Sequence, residues 1–71
     1  MKISIIGGGN MGGSIACGLA SGSIFKTSDI TVIDISQQTL SSLAQKVPGI
    51  HTASNYDTLP QADIIILAVK P

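Results

Sequence analysis

The most constraining feature of the sequence is a segment, residues 7–13, that holds five glycines in seven positions as GGGNMGG. Glycine is unfavourable in regular structure because it loses more backbone freedom on folding than any other residue. Gly7, Gly9 and Gly12 have the spacing G-x-G-x-x-G. In that motif the first glycine forms a tight turn, the second lets a pyrophosphate approach the backbone, and the third lets a helix pack close to a strand. The segment therefore predicts a strand–loop–helix unit suited to a dinucleotide.

Apolar runs rich in β-branched residues predict four strands, one before this segment and three after it. The predicted strands are residues 2–6, 29–35, 50–52 and 64–69, and we expect the first and the fourth to be buried. Apolar residues at three- and four-residue spacing predict helices at residues 11–20 and 36–47, with Ser36 as the N-cap of the second. Residues 55–61 are expected to form a loop or one helical turn. The order β-α-β-α-β-(turn)-β is typical of a Rossmann-type α/β fold with a parallel sheet of strand order 3-2-1-4.

The helices carry three more specific expectations. Leu40, Leu43, Ala44 and Val47 form the apolar stripe that the second helix should bury. Gly18 lies inside the first helix, where it costs about 1 kcal/mol relative to Ala, and close packing of the helix on the sheet would explain it. Cys17 is expected to be a small buried hydrophobic residue rather than a nucleophile.

An acidic residue, Asp34, lies near the end of the second predicted strand. At about this distance from the glycines the dinucleotide fingerprint expects a carboxylate that accepts hydrogen bonds from the ribose hydroxyls. A carboxylate repels a 2′-phosphate, and no Arg or Lys follows the strand directly, so Asp34 favours NADH. Ser36, Gln38 and Thr39 could still hydrogen-bond a phosphate, which leaves NADPH open.

Composition excludes several classes of function. The four acidic and four basic residues balance, and no Arg is present, which argues against nucleic-acid and membrane-surface partners. The longest apolar run, Ile64–Val69, is far shorter than the roughly 20 residues of a membrane span. Cys17 is the only cysteine, so no internal disulfide is possible, and His51 has no neighbouring metal ligands. We expect a cytoplasmic protein without a metal site.

Two stretches together resemble the pyrroline-5-carboxylate reductase family. "IIGGGNMGGSIACGL", residues 5–19, resembles the glycine loop and first helix of those enzymes. "ADIIILAVKP", residues 62–71, resembles their fourth strand and the A-V-K-P loop that follows it. The Asn of "TASNYDTL" falls where the family has a cofactor-contacting Asn. The resemblance covers essentially the whole chain, and the combination of both stretches is more specific than the glycine loop alone.

The resemblance implies a set of cofactor-binding residues at the carboxyl edge of the sheet. The loop residues would hold the pyrophosphate, Ser36 would lie near the adenosine ribose or its phosphate, and the others would contact the rest of the cofactor. Together with Asp34, the set is Gly7, Gly8, Gly9, Asn10, Met11, Gly12, Ser36, Asn55, Ala68, Val69, Lys70 and Pro71. The family more often uses NADPH, which is not what Asp34 favours. For Met11 core packing is nearly as good an interpretation, and for Lys70 a solvated strand end is the alternative.

The resemblance also implies a reaction, which is hydride transfer from NAD(P)H to the C=N bond of 1-pyrroline-5-carboxylate, giving L-proline in the last step of proline biosynthesis. No catalytic residue can be identified. Residues 1–71 would be the N-terminal part of the dinucleotide-binding domain, inactive alone. A helical C-terminal domain, which is not in this chain, would supply the substrate site and the contacts of a homo-oligomer. The alternatives are another Rossmann reductase, such as a β-hydroxyacid or prephenate dehydrogenase, and a nucleotide-sensing module without catalysis.

Overall fold

The computed structural model describes residues 1–69, and Lys70 and Pro71 lie outside the described residues. Four parallel strands form one sheet in the order β3-β2-β1-β4. The strands are β1 (Ile3–Ile6), β2 (Ile30–Ile33), β3 (His51–Ala53) and β4 (Ile64–Leu67). The helices are α1 (Asn10–Ser21) and α2 (Gln37–Lys46), with short 3-10 turns at Thr27–Asp29 and Leu59–Gln61. The predicted fold class and strand order are confirmed.

The core lies between the sheet and the two helices. Ile3 and Ile5 of β1 are in register with Ile30 and Val32 of β2, so these four side chains share one face of the sheet. All four are buried in one cluster with residues of both helices, namely Ala16, Leu40 and Leu43. Burial on this face explains why the two central strands are so rich in Ile and Val.

Local sequence determines where α2 begins and ends. The Ser36 hydroxyl accepts a hydrogen bond from the Thr39 amide at 3.2 Å, as expected of an N-cap residue. The helix ends at Lys46, and Gly49 follows with a φ of +98°, which favours glycine. Leu40, Leu43 and Val47 are buried as predicted, but Ala44 is exposed, so the apolar stripe is narrower than expected.

Strand β4 is not the buried strand that its sequence suggests. Ile64 and Ile65 are exposed, and Leu67 is 71% exposed. The physical reason is that β4 is an edge strand, with β1 as its one neighbour within residues 1–69, so side chains of another strand flank it on one side. Only Ile66 of β4 packs against the helix-covered core. An apolar sequence thus predicted the strand, and the position of the strand in the sheet determines its exposure.

Two expectations for α1 are wrong. A Cβ atom at Gly18 would meet nothing within 4 Å, so close packing does not explain this glycine, and nothing else in the structure does. Cys17 is exposed rather than buried, because it lines an open groove between α1 and α2 instead of packing into the core. Across residues 1–69, no helix has the length and hydropathy that crossing a bilayer would require.

Candidate cofactor site

The loop between β1 and α1 starts with a turn that requires glycine. Gly7 has a φ of +103°, in the left-handed region that side chains disfavour. Its amide donates to the Ile33 carbonyl at 2.7 Å, which anchors the loop to the end of β2. A Cβ atom at Gly7 would lie 3.0 Å from the carbonyl group of Ala68, just after β4. The loop is therefore held between the carboxyl ends of β2 and β4.

The first turn of α1 packs directly against this turn, and Gly12 is the residue at the contact. A Cβ atom at Gly12 would overlap the Gly7 carbonyl oxygen, so no other residue fits without moving the backbone. Gly12 is buried, as a position in such a contact must be. The close helix–strand contact is the one that the third glycine of the motif permits.

The N-terminus of α1 has amide groups without partners. Gly9 is the N-cap and supplies no side-chain cap, and the first turn has no acidic residue. The first amide to bond back into the helix is that of Gly13, which donates to the Gly9 carbonyl at 2.7 Å. The amides of Asn10, Met11 and Gly12 make no hydrogen bond within the described residues. This end of α1 therefore carries a partial positive charge and free donors.

The space in front of these amides is open. Gly9 is exposed, and a Cβ atom there would meet no protein atom of residues 1–69 within 4 Å. The fold therefore has room for a side chain at position 9, in contrast to positions 7 and 12. A bare backbone facing open space beside free helix amides fits the pyrophosphate of a dinucleotide.

Asp34 lies beside this loop and contacts it directly. One carboxylate oxygen, Oδ2, accepts a hydrogen bond from the Gly8 amide at 2.8 Å. The other, Oδ1, accepts from the Ser36 amide at 2.9 Å. The hydrogen bonds from Ser36 and then Gly8 lower the pKa of the Asp34 carboxyl below its ordinary value, although partial desolvation opposes them. Asp34 is therefore a carboxylate at neutral pH, close to the glycine loop.

The other predicted cofactor residues follow the carboxyl ends of the strands. The Ser36 hydroxyl accepts from both the amide and the hydroxyl of Thr39, which shows its capping role in α2. The exposed Asn55 follows β3, and its Oδ1 accepts from the Asp57 amide at 3.0 Å. The Ala68 amide donates to the Ile6 carbonyl at 2.8 Å, and Val69 is exposed.

All the predicted residues that the structure describes therefore lie at one edge of the sheet, where ligands of doubly wound folds bind. Asn10 and Met11 are both exposed at the start of α1, and 66% of Met11 is accessible, so core packing of Met11 is excluded. Lys70 and Pro71, which were also predicted to bind the cofactor, lie outside the described residues. No cluster of metal-ligating side chains occurs within residues 1–69.

A groove of about 540 Å³ runs from the glycine loop along the space between α1 and α2. Gly8 and Gly9 line its loop end, and the polar side chains of Gln38, Ser42 and Lys46 line it along α2. Sequence reasoning pointed to Gln38 but missed Ser42 and Lys46. Their four-residue spacing was the available signal, since residues at i, i+4 and i+8 share one face of a helix.

Comparisons with known proteins agree with this geometry. A family model described as "NADP oxidoreductase coenzyme F420-dependent" matches residues 2–71. Among curated proteins, pyrroline-5-carboxylate reductase 1 of Dictyostelium discoideum is 33% identical over 70 residues. That alignment covers 97% of this chain and 12% of the relative, so the chain spans about an eighth of the relative's length. No solved structure gives a significant match.

Proposed function

Because the chain belongs to the family of coenzyme F420-dependent NADP oxidoreductases, we propose that it is the cofactor-binding part of a pyrroline-5-carboxylate reductase. The coarser description, a Rossmann domain of NAD(P)-dependent oxidoreductases, follows from the family and the fold. The finer proposal is supported by the curated relative and by the residues 62–71, ADIIILAVKP. The reaction would reduce the C=N bond of 1-pyrroline-5-carboxylate and form L-proline.

The observation that carries the cofactor-binding part of the proposal is the open, uncapped start of α1. The free amides of Asn10, Met11 and Gly12 would donate to pyrophosphate oxygens, and the open space at Gly9 would admit them. This arrangement needs no cationic side chain, because the helix supplies both the donors and the partial positive charge. Ser36, Asn55, Ala68 and Val69 surround the same edge and would contact the remainder of the cofactor.

The nicotinamide group, when bound, supplies the hydride, and this chain supplies position and electrostatics. Its contribution to the reaction is to hold the cofactor at the carboxyl edge of the sheet, between the loops that follow β1 and β4. We assign no general acid or base to residues 1–71. Since the chain spans 12% of its curated relative, we propose that the substrate residues and the contacts of a homo-oligomer are formed by other parts of the polypeptide, and that the protein acts in the cytoplasm.

Cofactor choice follows from the charge of Asp34. The lowered pKa keeps this carboxyl ionised at neutral pH, and it lies at the end of β2, where the adenosine ribose binds in this fold class. A 2′-phosphate next to it would be repelled. We propose that the enzyme prefers NADH, although the name of its family refers to NADP and the groove along α2 contains Lys46.

The test is an assay of the protein expressed from its complete gene. Proline formation from 1-pyrroline-5-carboxylate should accompany oxidation of the cofactor, with a higher kcat/KM for NADH than for NADPH. Absence of proline formation with either cofactor would refute the reaction, and a strong preference for NADPH would refute the role given to Asp34.

The family description favours one second candidate, which is hydride exchange between NADPH and coenzyme F420. The same protein is therefore mixed with coenzyme F420 and NADP⁺ or NADPH, without pyrroline-5-carboxylate. Turnover of coenzyme F420, together with no turnover of 1-pyrroline-5-carboxylate, would replace the first proposal with the second.

A further inference from the structure

We infer that Asp34 is a positioning residue that holds the glycine loop in its binding conformation by bridging two backbone amides, a role separate from any contact with the cofactor ribose. The inference rests on the proposed function, since the loop is taken to bind a dinucleotide. The two amides belong to Gly8, in the loop after β1, and Ser36, in the turn after β2. A single carboxylate thus joins the two loops that precede α1 and α2.

The position of Gly8 shows why such a link is needed. Gly8 is buried, and a Cβ atom there would lie 3.1 Å from Val32 Cγ1 and 3.3 Å from Thr39 Cγ2. It has no side chain to anchor it, so hydrogen bonds of its backbone must fix its orientation. The Gly8 amide makes its bond to Asp34 at 2.8 Å. The next residue, Gly9, exposes the open backbone that would face the pyrophosphate.

The second amide fixes the carboxylate itself. The Ser36 amide donates to Asp34 Oδ1, and the Ser36 hydroxyl caps α2 through Thr39. The Asp34 amide in turn donates to the Ala53 carbonyl of β3 at 3.1 Å. Asp34 is therefore held from both sides, by a strand and by a helix N-terminus, and it presents Oδ2 to the loop in a defined direction.

The consequence is an effect on affinity that does not depend on the ribose hydroxyls. Without the carboxylate the Gly8 amide loses its acceptor, and the loop must be ordered when the cofactor binds. Each oxygen of a carboxylate has further lone pairs, so a ribose hydroxyl can donate to Asp34 as well. Loss of the loop contact weakens the binding of every dinucleotide, whereas loss of the ribose contact weakens only a ligand that carries the ribose hydroxyls.

The experiment separates the roles with a cofactor that lacks the hydroxyls. Binding of NAD⁺ and of 2′,3′-dideoxyadenosine NAD⁺ is measured by calorimetry, using the complete protein, for the wild type and for Asp34→Ala, which removes both acceptor oxygens. Loss of a hydrogen bond to a charged group predicts weakening of about tenfold or more. Asp34→Ala should weaken the dideoxy ligand about tenfold or more, and NAD⁺ by at least the same factor. Weakening of NAD⁺ alone would show that Asp34 acts only on the ribose and would overturn the inference.

A second measurement needs no cofactor and no activity. Hydrogen exchange of the Gly8 amide, followed by NMR in the unliganded protein, should accelerate about tenfold or more in Asp34→Ala. Asp57→Ala is the matched control, because it removes a carboxylate that makes no hydrogen bond within residues 1–69. Unchanged exchange at Gly8 in Asp34→Ala would overturn the inference.

The outcomes also distinguish this inference from the proposed function. A wild type that binds no dinucleotide refutes the proposed function, while exchange at Gly8 still decides whether the link exists. Circular dichroism shows whether Asp34→Ala is folded under the conditions of binding. If it is not, Asp34→Glu replaces it, since Glu keeps the charge and its added methylene displaces the two oxygens. Weakening of the dideoxy ligand is again expected, and retention of its full affinity would overturn the inference.

Discussion

The carbonyl oxygen of Gly7 occupies the space that a side chain would need at Gly12. This contact joins the end of β1 to the first turn of α1 and brings the free amides of the helix to the edge of the sheet. Gly7 and Gly12 therefore determine where α1 starts, and so where a ligand of its free amides could bind. The fold therefore requires glycine at positions 7 and 12, whereas Gly9 lies in open space where a ligand could bind.

Replacing Gly12 with Ala should severely destabilise the protein. The added methyl group meets backbone rather than a flexible side chain, so strand and helix must separate. Overpacking of this kind costs about 3 kcal/mol or more, and a domain of this size is stable by only about 4–10 kcal/mol. Urea denaturation followed by circular dichroism measures the loss. A midpoint equal to that of the wild type would contradict the contact.

The same substitution at Gly18 should have the opposite effect. Gly18 is an exposed helical residue whose Cβ would meet no atom within 4 Å. Alanine there removes a backbone entropy cost of about 0.5–1 kcal/mol. The urea midpoint should rise accordingly, and a fall would show that Gly18 has a structural role that the described residues do not reveal.

Short-range signals predicted the helix boundaries and much of the candidate site. Ser36 was identified as an N-cap because capping depends on residues three positions apart, and its hydroxyl accepts from Thr39. Gly7 and Gly12 were identified because one turn and one helix contact require them at fixed spacing. Alternation of strands and helices predicted the parallel sheet, and the glycine motif indicated the dinucleotide-binding fold class, whose strand order is 3-2-1-4.

Features that depend on distant neighbours were not predictable. Asp34 and Gly8 are 26 residues apart, and the motif suggested only a ribose contact for the carboxylate. Leu67 is as apolar as a core residue but is exposed, because β4 has a neighbouring strand on one side in the part of the chain that the structure describes. Cys17 was assigned to the core by its residue type, whereas its exposure depends on which side of α1 faces the sheet.

Stability should depend on the ionisation of Asp34. Its pKa is lowered in the folded protein, chiefly by the Ser36 amide and then by Gly8. A lowered pKa means that the stabilisation is fully present above the unfolded value, about 3.9, and is lost as the pH falls through the folded value. The difference in urea midpoint between the wild type and Asp34→Asn should therefore be largest at neutral pH and should shrink below about pH 4.

The control for this pH dependence is Asp57→Asn, whose wild-type carboxylate bonds to no described group. Its urea midpoint should stay close to that of the wild type at neutral pH. A difference between the wild type and Asp34→Asn that persists unchanged at pH 3 would mean that the carboxylate's charge does not stabilise the loop.

Gly9→Ser should separate folding from cofactor binding. A serine at the N-cap can accept a hydrogen bond from the amides of the first turn, which stabilises a helix by a few tenths of a kcal/mol relative to glycine. The fold has room for it, since a Cβ at Gly9 meets nothing within 4 Å. The same hydroxyl would occupy the donors and the space proposed for the pyrophosphate.

The expected result of Gly9→Ser is an unchanged or higher urea midpoint together with an affinity for NADH at least about tenfold weaker. Calorimetric titration with NADH, NADPH and ADP measures the loss, which should be shared by all three because each carries a diphosphate. Gly9→Ala is the companion variant, since it fills the same space without a capping group. If both variants bind NADH as tightly as the wild type, the start of α1 is not where the dinucleotide is held.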